Sequence, residues 1–140
     1  KLNVFRSKLD NLEHHVLSRG KFNPKKSTRV RVISINISKP IEKINDRLYL
    51  KSIKYLSKYN NFALIIIKKK ISSTNKDDTV KSTNILRYYG IGAQIIKDLK
   101  IRNMILVSRS KKKIIGLEGD GIKITKQEII KWKKKLEFVL

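Results

Sequence analysis

The sequence predicts a single domain of mixed α/β (α+β) class, with a mixed sheet flanked by helices. Three observations support this class: a length of 140 residues, a hydrophobic content of 40%, and strand-like runs that alternate with helix-like runs. This length suffices for one domain with its own core, and this hydrophobic content argues against disorder throughout. We place the domain at residues 1–126 and expect a basic amphipathic helix at 127–140.

The first regular segment is RVRVISINI, residues 29–37. Its residues alternate, with Val30 and Val32 on one side and Ile33 and Ile35 on the other, which is typical of a strand.

A helix and a buried strand follow. Apolar residues recur at near-helical spacing between 41 and 60, which predicts a helix that is best defined over 46–59. The next run, FALIIIKK at 62–69, is short, apolar and β-branched, which predicts a strand buried on both faces.

The second half of the chain repeats this alternation. A turn at Gly90 and Gly92 leads into the helical run AQIIKDLKI, and NMILVS at 103–108 predicts another buried strand. The basic turn RSKKK, residues 109–113, precedes a glycine-rich turn and a strand within 114–124.

Gly90 and Gly92 form a candidate phosphate site. Glycine allows a sharp turn, and a helix N-terminus offers free N–H groups and positive potential to an anion. The spacing is not the full dinucleotide fingerprint, because Ile95 occupies the position of the third glycine. A tight turn into a packed helix explains the same residues, and the sequence leaves both readings open.

The formal charge is +23, from 34 Lys+Arg and 11 Asp+Glu. Such an excess favours contact with polyanions such as nucleic acid. The abundance of Lys, Ile and Asn is also what an AT-rich genome would produce, with lysines on solvated faces. Both explanations stay open.

The chain contains no cysteine, which excludes disulfides and thiolate metal sites and fits a reducing compartment. Residues 1–20 contain no long apolar run, and the longest in the chain, Phe62–Ile67, is too short to cross a bilayer. We therefore expect a cytoplasmic protein without a membrane partner. Because the chain starts at Lys1, we expect a fragment or a processed product.

The remaining histidines and carboxylates do not suggest a catalytic set. His14 and His15 are adjacent and would face opposite ways on a strand, so we expect structural roles. Glu118 fits a turn residue that accepts backbone N–H bonds, and Asp77 and Asp78 fit a solvated loop.

Residues 86–124 resemble the C-terminal half of GTP cyclohydrolase II. LRYYGIGAQIIKDLKIRNMILVSRSKKKIIGLEGDGIKI is similar to that family's R-D-Y-G-I-G-A-Q-I-L-x-D-L-G-V pattern and its G-L-E-G-Y-G segment. Residues 4–20 are similar to its opening strand, and 30–34 resemble its V-R-V-H-S. The family opens the imidazole ring of GTP and releases formate in riboflavin synthesis, using a water activated by a zinc ion on three cysteines.

The resemblance implies a set of anion-binding residues. Arg87 matches the family's nucleophilic arginine, Ser108 replaces a threonine near the substrate, and Lys113 matches a lysine in the basic turn. The GTP- or phosphate-binding set implied in this way is Arg31, Arg87, Gly90, Gly92, Ser108 and Lys113.

The catalytic positions depart from the family pattern. Asn36 occupies the place of the first zinc cysteine, and the Cys-Asp-Cys segment has no counterpart. Tyr88 and Ile85 replace two aspartates near the nucleophile, and KKKISSTN at 68–75 replaces an E-G-R-G segment. We therefore expect no zinc or other cofactor and assign no catalytic residue.

The expected function is that of a pseudoenzyme. We expect a structural, dimerising or nucleotide-sensing half of a bifunctional synthase, as a homodimer that binds GTP or phosphate weakly. The other half, joined at the N-terminus, would be a 3,4-dihydroxy-2-butanone 4-phosphate synthase, and any activity of the full chain would reside there.

Two alternatives remain. The fold could serve as a nucleic-acid- or ribosome-binding protein, given its charge, the RSKKK turn, and Tyr88, Tyr89 and Trp132 as stacking residues. It could also be an active enzyme with a different metal set, although the sequence offers no replacement ligands that we can identify.

Overall fold

A computed structural model describes residues 1–8, 11–38, 46–70, 90–110 and 121–130. These residues form one six-stranded sheet and two helices, which confirms the predicted mixed class. The strands are β1 (Leu2–Arg6), β2 (Glu13–Arg19), β3 (Ser27–Asn36), β4 (Phe62–Lys69), β5 (Asn103–Ser108) and β6 (Lys123–Ile129). Helix α1 is Asp46–Leu56, and α2 is helical over 90–98.

The sheet has the order β1-β2-β4-β3-β5-β6. The last four strands in this order run parallel, and β1 and β2 extend the sheet through antiparallel pairing with each other and with β4. The four parallel strands therefore end at the same edge, here called the carboxyl edge, and begin at the opposite one, the amino edge. Ligands of open α/β sheets bind at the carboxyl edge.

Strand β4 lies at the centre of the core. All residues from Phe62 to Ile67 are buried, as predicted for a strand covered on both faces. Ile65 and Ile67 pack with Ile95 and other residues of α2, whereas Leu64 packs with Leu56 of α1 on the opposite face.

The alternation predicted for 29–37 is confirmed. Val30 belongs to the cluster under α2, and Ile33 belongs to the cluster under α1. We call these two sides the α2 face and the α1 face of the sheet.

The predicted C-terminal helix at 127–140 is wrong at its first residues. Strand β6 continues to Ile129, with Gln127 opposite Leu106 and Glu128 opposite Val107. β6 is an edge strand, and the mixed polar and apolar residues 127–129 fit an exposed strand as well as the first turn of a helix. Residues 131–140 lie outside the described part of the chain.

The predicted turn at Gly90 and Gly92 is also wrong, since both glycines are helical. Ile91 and Ala93 are buried in the cluster under α2, and this packing holds the segment in the helix. A Cβ on Gly92 would lie 3.5 Å from Ile67 Cδ1, so α2 approaches the sheet closely there.

The other helix and the first strands differ in detail from expectation. Helix α1 ends at Leu56 rather than at 59, and residues 41–45 are not described. The opening segment forms two strands, β1 and β2.

His14 and His15 lie on opposite faces of β2, as predicted. His14 is buried, and its Nδ1 accepts the Lys68 N–H at 3.1 Å. Neither helix, within the described residues, is long and apolar enough to span a membrane.

The loop between β2 and β3 is held tightly at its start. Gly20 has φ +83°, and a Cβ there would lie 2.6 Å from the Asn60 carbonyl oxygen. Both the dihedral angle and the contact require glycine.

We predict that Gly20→Ala lowers the free energy of unfolding by about 1–3 kcal/mol, because it introduces backbone strain and a clash. The matched control is Gly90→Ala, at a helical position with nothing within 4 Å of the added Cβ. That change should stabilise by about 0.5–1 kcal/mol. Urea unfolding followed by circular dichroism measures both, and equal effects would contradict the prediction.

Candidate anion-binding site

A buried arginine lies in the middle of β3, level with the carboxyl end of β5. Arg31 on β3 is 6% exposed and lies between Leu64 of β4 and Val107 of β5. Its Nε donates to Ser52 Oγ of α1 and its Nη1 donates to the Val107 carbonyl, each at 3.4 Å. Both bonds are long, so the guanidinium retains donor capacity.

The charge of Arg31 is poorly compensated. Among the described residues no carboxylate forms an ion pair with it. Burial lowers its pKa, and the positive charge of Arg109 lowers it further. A buried cation without a counter-ion destabilises the folded state. An anion next to Arg31 would offset both the burial of its charge and the repulsion from Arg109.

Ser108 is close to Arg31 in the sheet but points the other way. It follows Val107, the residue opposite Arg31, so it lies on the α2 face whereas Arg31 lies on the α1 face. The Ser108 hydroxyl is buried and donates to the Ser110 carbonyl at 2.7 Å, which closes the turn after β5. The structure therefore does not bring these two predicted residues together on one face.

The other predicted residues can be placed only in part. Gly90 and Gly92 lie in the described part of α2, on the same side of the sheet as Ser108. Arg87 and Lys113 lie outside the described residues, as do Ile85, Tyr88 and Glu118. Their predicted roles remain predictions.

The residues present do not fit the zinc site that the resemblance implies. Asn36, at the position of the first zinc cysteine, uses its side-chain oxygen to accept the Ser38 N–H at 3.0 Å. The chain has no cysteine, and the described residues contain no group of three His, Asp or Glu side chains that could hold a metal. The three-thiolate site cannot form from this chain.

Sequence reasoning missed Ser52. It is fully buried and supplies one of the two contacts to Arg31. The available signal was a serine within the apolar stripe of α1, between Tyr49 and Ile53, where a buried hydroxyl requires a polar partner.

A second polar cluster on the α1 face was also missed. Arg29 Nε donates to Glu128 Oε1 at 2.7 Å, and the Arg29 guanidinium lies 3.6 Å from the centre of the Tyr59 ring. The Tyr55 hydroxyl donates to the same carboxylate at 3.2 Å. This cluster ties α1 to β3 and β6 beside Arg31, so it fixes the helix that carries Ser52.

The ionisation of this cluster follows its contacts. The hydrogen bond from Arg29 lowers the pKa of Glu128 and raises that of Arg29. Burial raises the pKa of the Tyr55 phenol, which keeps it protonated as a donor.

By its fold the chain is an open α/β-sheet protein, and in the described part of the sheet the buried Arg31 forms no ion pair. Comparison with known proteins gives the family. The model of the GTP cyclohydrolase II family matches residues 48–128, more than half of the chain, and the chain belongs to that family.

The similar curated proteins include two that are named for riboflavin biosynthesis and one that is named as a synthase. "Riboflavin biosynthesis protein RibBA" of Bacillus subtilis (strain 168) is 55% identical over 42 residues, or 30% of this chain and 11% of the relative. "Bifunctional riboflavin biosynthesis protein RIBA 1, chloroplastic" of Arabidopsis thaliana is 45% identical over 53 residues, 34% of this chain and 10% of the relative. "3,4-dihydroxy-2-butanone 4-phosphate synthase" of Sulfurospirillum multivorans is 45% identical over 51 residues, or 36% of this chain and 14% of the relative.

The matched segments thus span only 10% to 14% of these relatives' own lengths. The chain is a GTP cyclohydrolase II-like domain of the kind found in riboflavin biosynthesis proteins.

We predict that Glu128→Gln removes a pH-dependent part of the stability. A lowered carboxyl pKa stabilises the folded state above the ordinary value of 4.5, and this stability is lost as the pH falls through the folded pKa. The variant should therefore be about 1–2 kcal/mol less stable than the wild type near pH 7, and the difference should shrink below about pH 4.

The control is Glu13→Gln, which breaks the exposed pair between Arg6 and Glu13. It should have a smaller effect near neutral pH, because exposed ion pairs stabilise little. Urea midpoints across the pH range measure both variants. A wild-type-to-Glu128→Gln difference that stays constant with pH would refute the assignment.

Proposed function

We propose that this domain is a catalytically inactive GTP cyclohydrolase II homologue that serves as a structural, dimerising or nucleotide-sensing half of a bifunctional riboflavin biosynthesis protein. The observation that carries the proposal is the absence of cysteine from the whole chain, combined with the cap that Asn36 forms at the end of β3. The family's zinc supplies the hydroxide for ring opening, and this chain has no thiolate ligand for it.

The proposed partner is a 3,4-dihydroxy-2-butanone 4-phosphate synthase half joined at the N-terminus. Support comes from the relatives, one of which is named a bifunctional riboflavin protein and another a synthase of this kind. We further propose a homodimer in the cytoplasm; the lack of cysteine fits a reducing compartment.

The proposed ligand is GTP or a smaller phosphate compound, bound weakly near the carboxyl edge. Arg31 supports this part, because its buried guanidinium has two long hydrogen bonds and the repulsion of Arg109. Arginine suits bidentate contact with phosphate oxygens. Arg87, Gly90, Gly92, Ser108 and Lys113 complete the proposed set.

We predict that the protein releases no formate from GTP above a control without protein, with Mg²⁺ and Zn²⁺ both present. The reason is the missing thiolate set. Formate is quantified with formate dehydrogenase, and a zinc-dependent homologue under the same conditions is the positive control. Formate release that rises with protein concentration would disprove inactivity and support an alternative metal set.

We predict that pyrophosphate binds the wild type and that Arg31→Met weakens this binding roughly tenfold or more, since charge-assisted hydrogen bonds contribute about 1.5–3 kcal/mol. Without ligand, Arg31→Met should be as stable as the wild type or more stable, because an uncompensated buried charge is removed. Calorimetry and urea unfolding measure the two effects.

The control for this variant is Lys8→Met, which removes one positive charge from an exposed position after β1, outside the proposed phosphate-binding residues. It should leave pyrophosphate affinity nearly unchanged. Equal losses in the two variants would show that pyrophosphate responds to net charge rather than to Arg31. No heat above dilution with the wild type would remove ligand binding from the proposal.

A further inference from the structure

The amino edge of the sheet carries a compact set of exposed basic residues. Ser27, Asn103 and Lys123 lie side by side on β3, β5 and β6, and Lys26 and Arg102 immediately precede the first two. Adjacent strands are separated by about 4.8 Å, so this row spans roughly 10 Å. With the neighbouring loop and the end of α2, the basic edge comprises Lys21, Lys25, Lys26, Lys100, Arg102 and Lys123.

The basic edge is not neutralised by the described part of the protein. All six residues are exposed. The ion pairs among the described residues join Arg6 to Glu13, and Glu128 to Arg29 and Lys126, so none involves the basic edge. In the described ranges the only carboxylate at this edge is Asp98, at the end of α2. Within the described ranges this edge therefore carries six cations and one carboxylate.

The loop that carries three of these lysines is held in place by asparagines. Asn61 Nδ2 donates to the Lys21 carbonyl at 3.3 Å, and Asn103 Nδ2 donates to the Pro24 carbonyl at 2.7 Å. Within the loop, the Asn23 side chain accepts the Lys25 N–H at 2.9 Å. Contacts from the starts of β4 and β5 thus fix the loop backbone, which reduces the ordering entropy that a ligand must overcome.

We propose that the basic edge binds the phosphate backbone of a nucleic acid strand. Separate, mobile cations along a row match a polymer of evenly spaced charges better than a single small anion. The exposed large apolar residues of the described chain are Leu2, Val4, Leu50 and Ile129, and none lies in the segments that form this edge. A protein interface and an amphipathic membrane anchor both use such apolar contacts, so nucleic acid is the better fit to this surface.

This binding is distinct from the proposed nucleotide site, because Arg31 is buried and lies four residues along β3 from Ser27, whereas the basic edge is exposed. Contact through phosphates alone reads no sequence and depends steeply on salt. Part of the +23 charge would thus lie at the basic edge and contact the phosphates of a nucleic acid.

The test uses a fluorescent, unstructured uridine 20-mer and the full chain, with affinity measured by anisotropy at several salt concentrations. The edge variant is Lys25→Gln/Lys26→Gln/Arg102→Gln. The control variant, Lys8→Gln/Lys51→Gln/Lys70→Gln, removes the same charge from exposed positions outside this edge. Circular dichroism verifies that both variants fold as the wild type does.

We expect the edge variant to bind the RNA at least tenfold more weakly near 100 mM salt and to have a flatter salt dependence by about two units. The control variant should lose less than about threefold. Similar losses in both variants would overturn the proposal, because net charge would then explain binding. Retained affinity in the edge variant would also overturn it.

Two competition arms separate the other possible sources. Excess GTP should leave the RNA bound, whereas displacement would place the RNA at the carboxyl edge and overturn the proposal. Vesicles of phosphatidylserine and phosphatidylcholine should compete weakly. Vesicle binding tighter than RNA binding and lost in the edge variant would assign this surface to membranes instead.

Discussion

The structure depends on one constraint: β4 is apolar on both faces and must be covered on both. Phe62 to Ile67 are all buried, so the strand can lie only in the interior of a sheet with helices above and below it. Pairing with β2 on one side and β3 on the other places it there. Helices α1 and α2 supply the two covers, and their crossovers make the neighbouring strands parallel. The polarity of the sheet, with its two chemically distinct edges, follows from this strand.

The sequence predicted the interior of this sheet better than its periphery. β3 and β4 were clear because burial imposes strict alternation on one and a continuous apolar run on the other. β6 was partly misassigned, because the lysines that suggested a helix come after residues 127–129, and these three residues fit an exposed edge strand equally well. Gly90 and Gly92 were misassigned because glycine indicates local freedom, whereas their conformation is set by tertiary packing of Ile91 and Ala93.

The candidate site was likewise predicted only in part from the sequence. Arg31 was identified only through family resemblance, since an arginine in an alternating strand carries no mark of function. Its contacts with Ser52 and Val107 join residues 21 and 76 positions away in sequence, and no local pattern encodes them. The opposite faces of Arg31 and Ser108 follow from strand register, which the sequence alone did not supply. The polar cluster of Arg29, Tyr55 and Glu128 was also missed, because its members are far apart in sequence and meet only through the register of the strands.

The position of the departures explains how such a scaffold can persist without the family's zinc ligands. Asn36 lies at the end of β3, beyond the buried core, where its side chain caps a turn. Replacement of a metal ligand there removes no packing from β4 or from either helix. Arg31 is different, because its aliphatic part and guanidinium fill space between α1 and β5, and a smaller residue would leave a cavity. Selection for folding alone would therefore retain bulk at position 31 but would not require a positive charge there. Among the described residues no carboxylate pairs with Arg31, so the charge at this position costs folding free energy that an apolar side chain of similar volume would not.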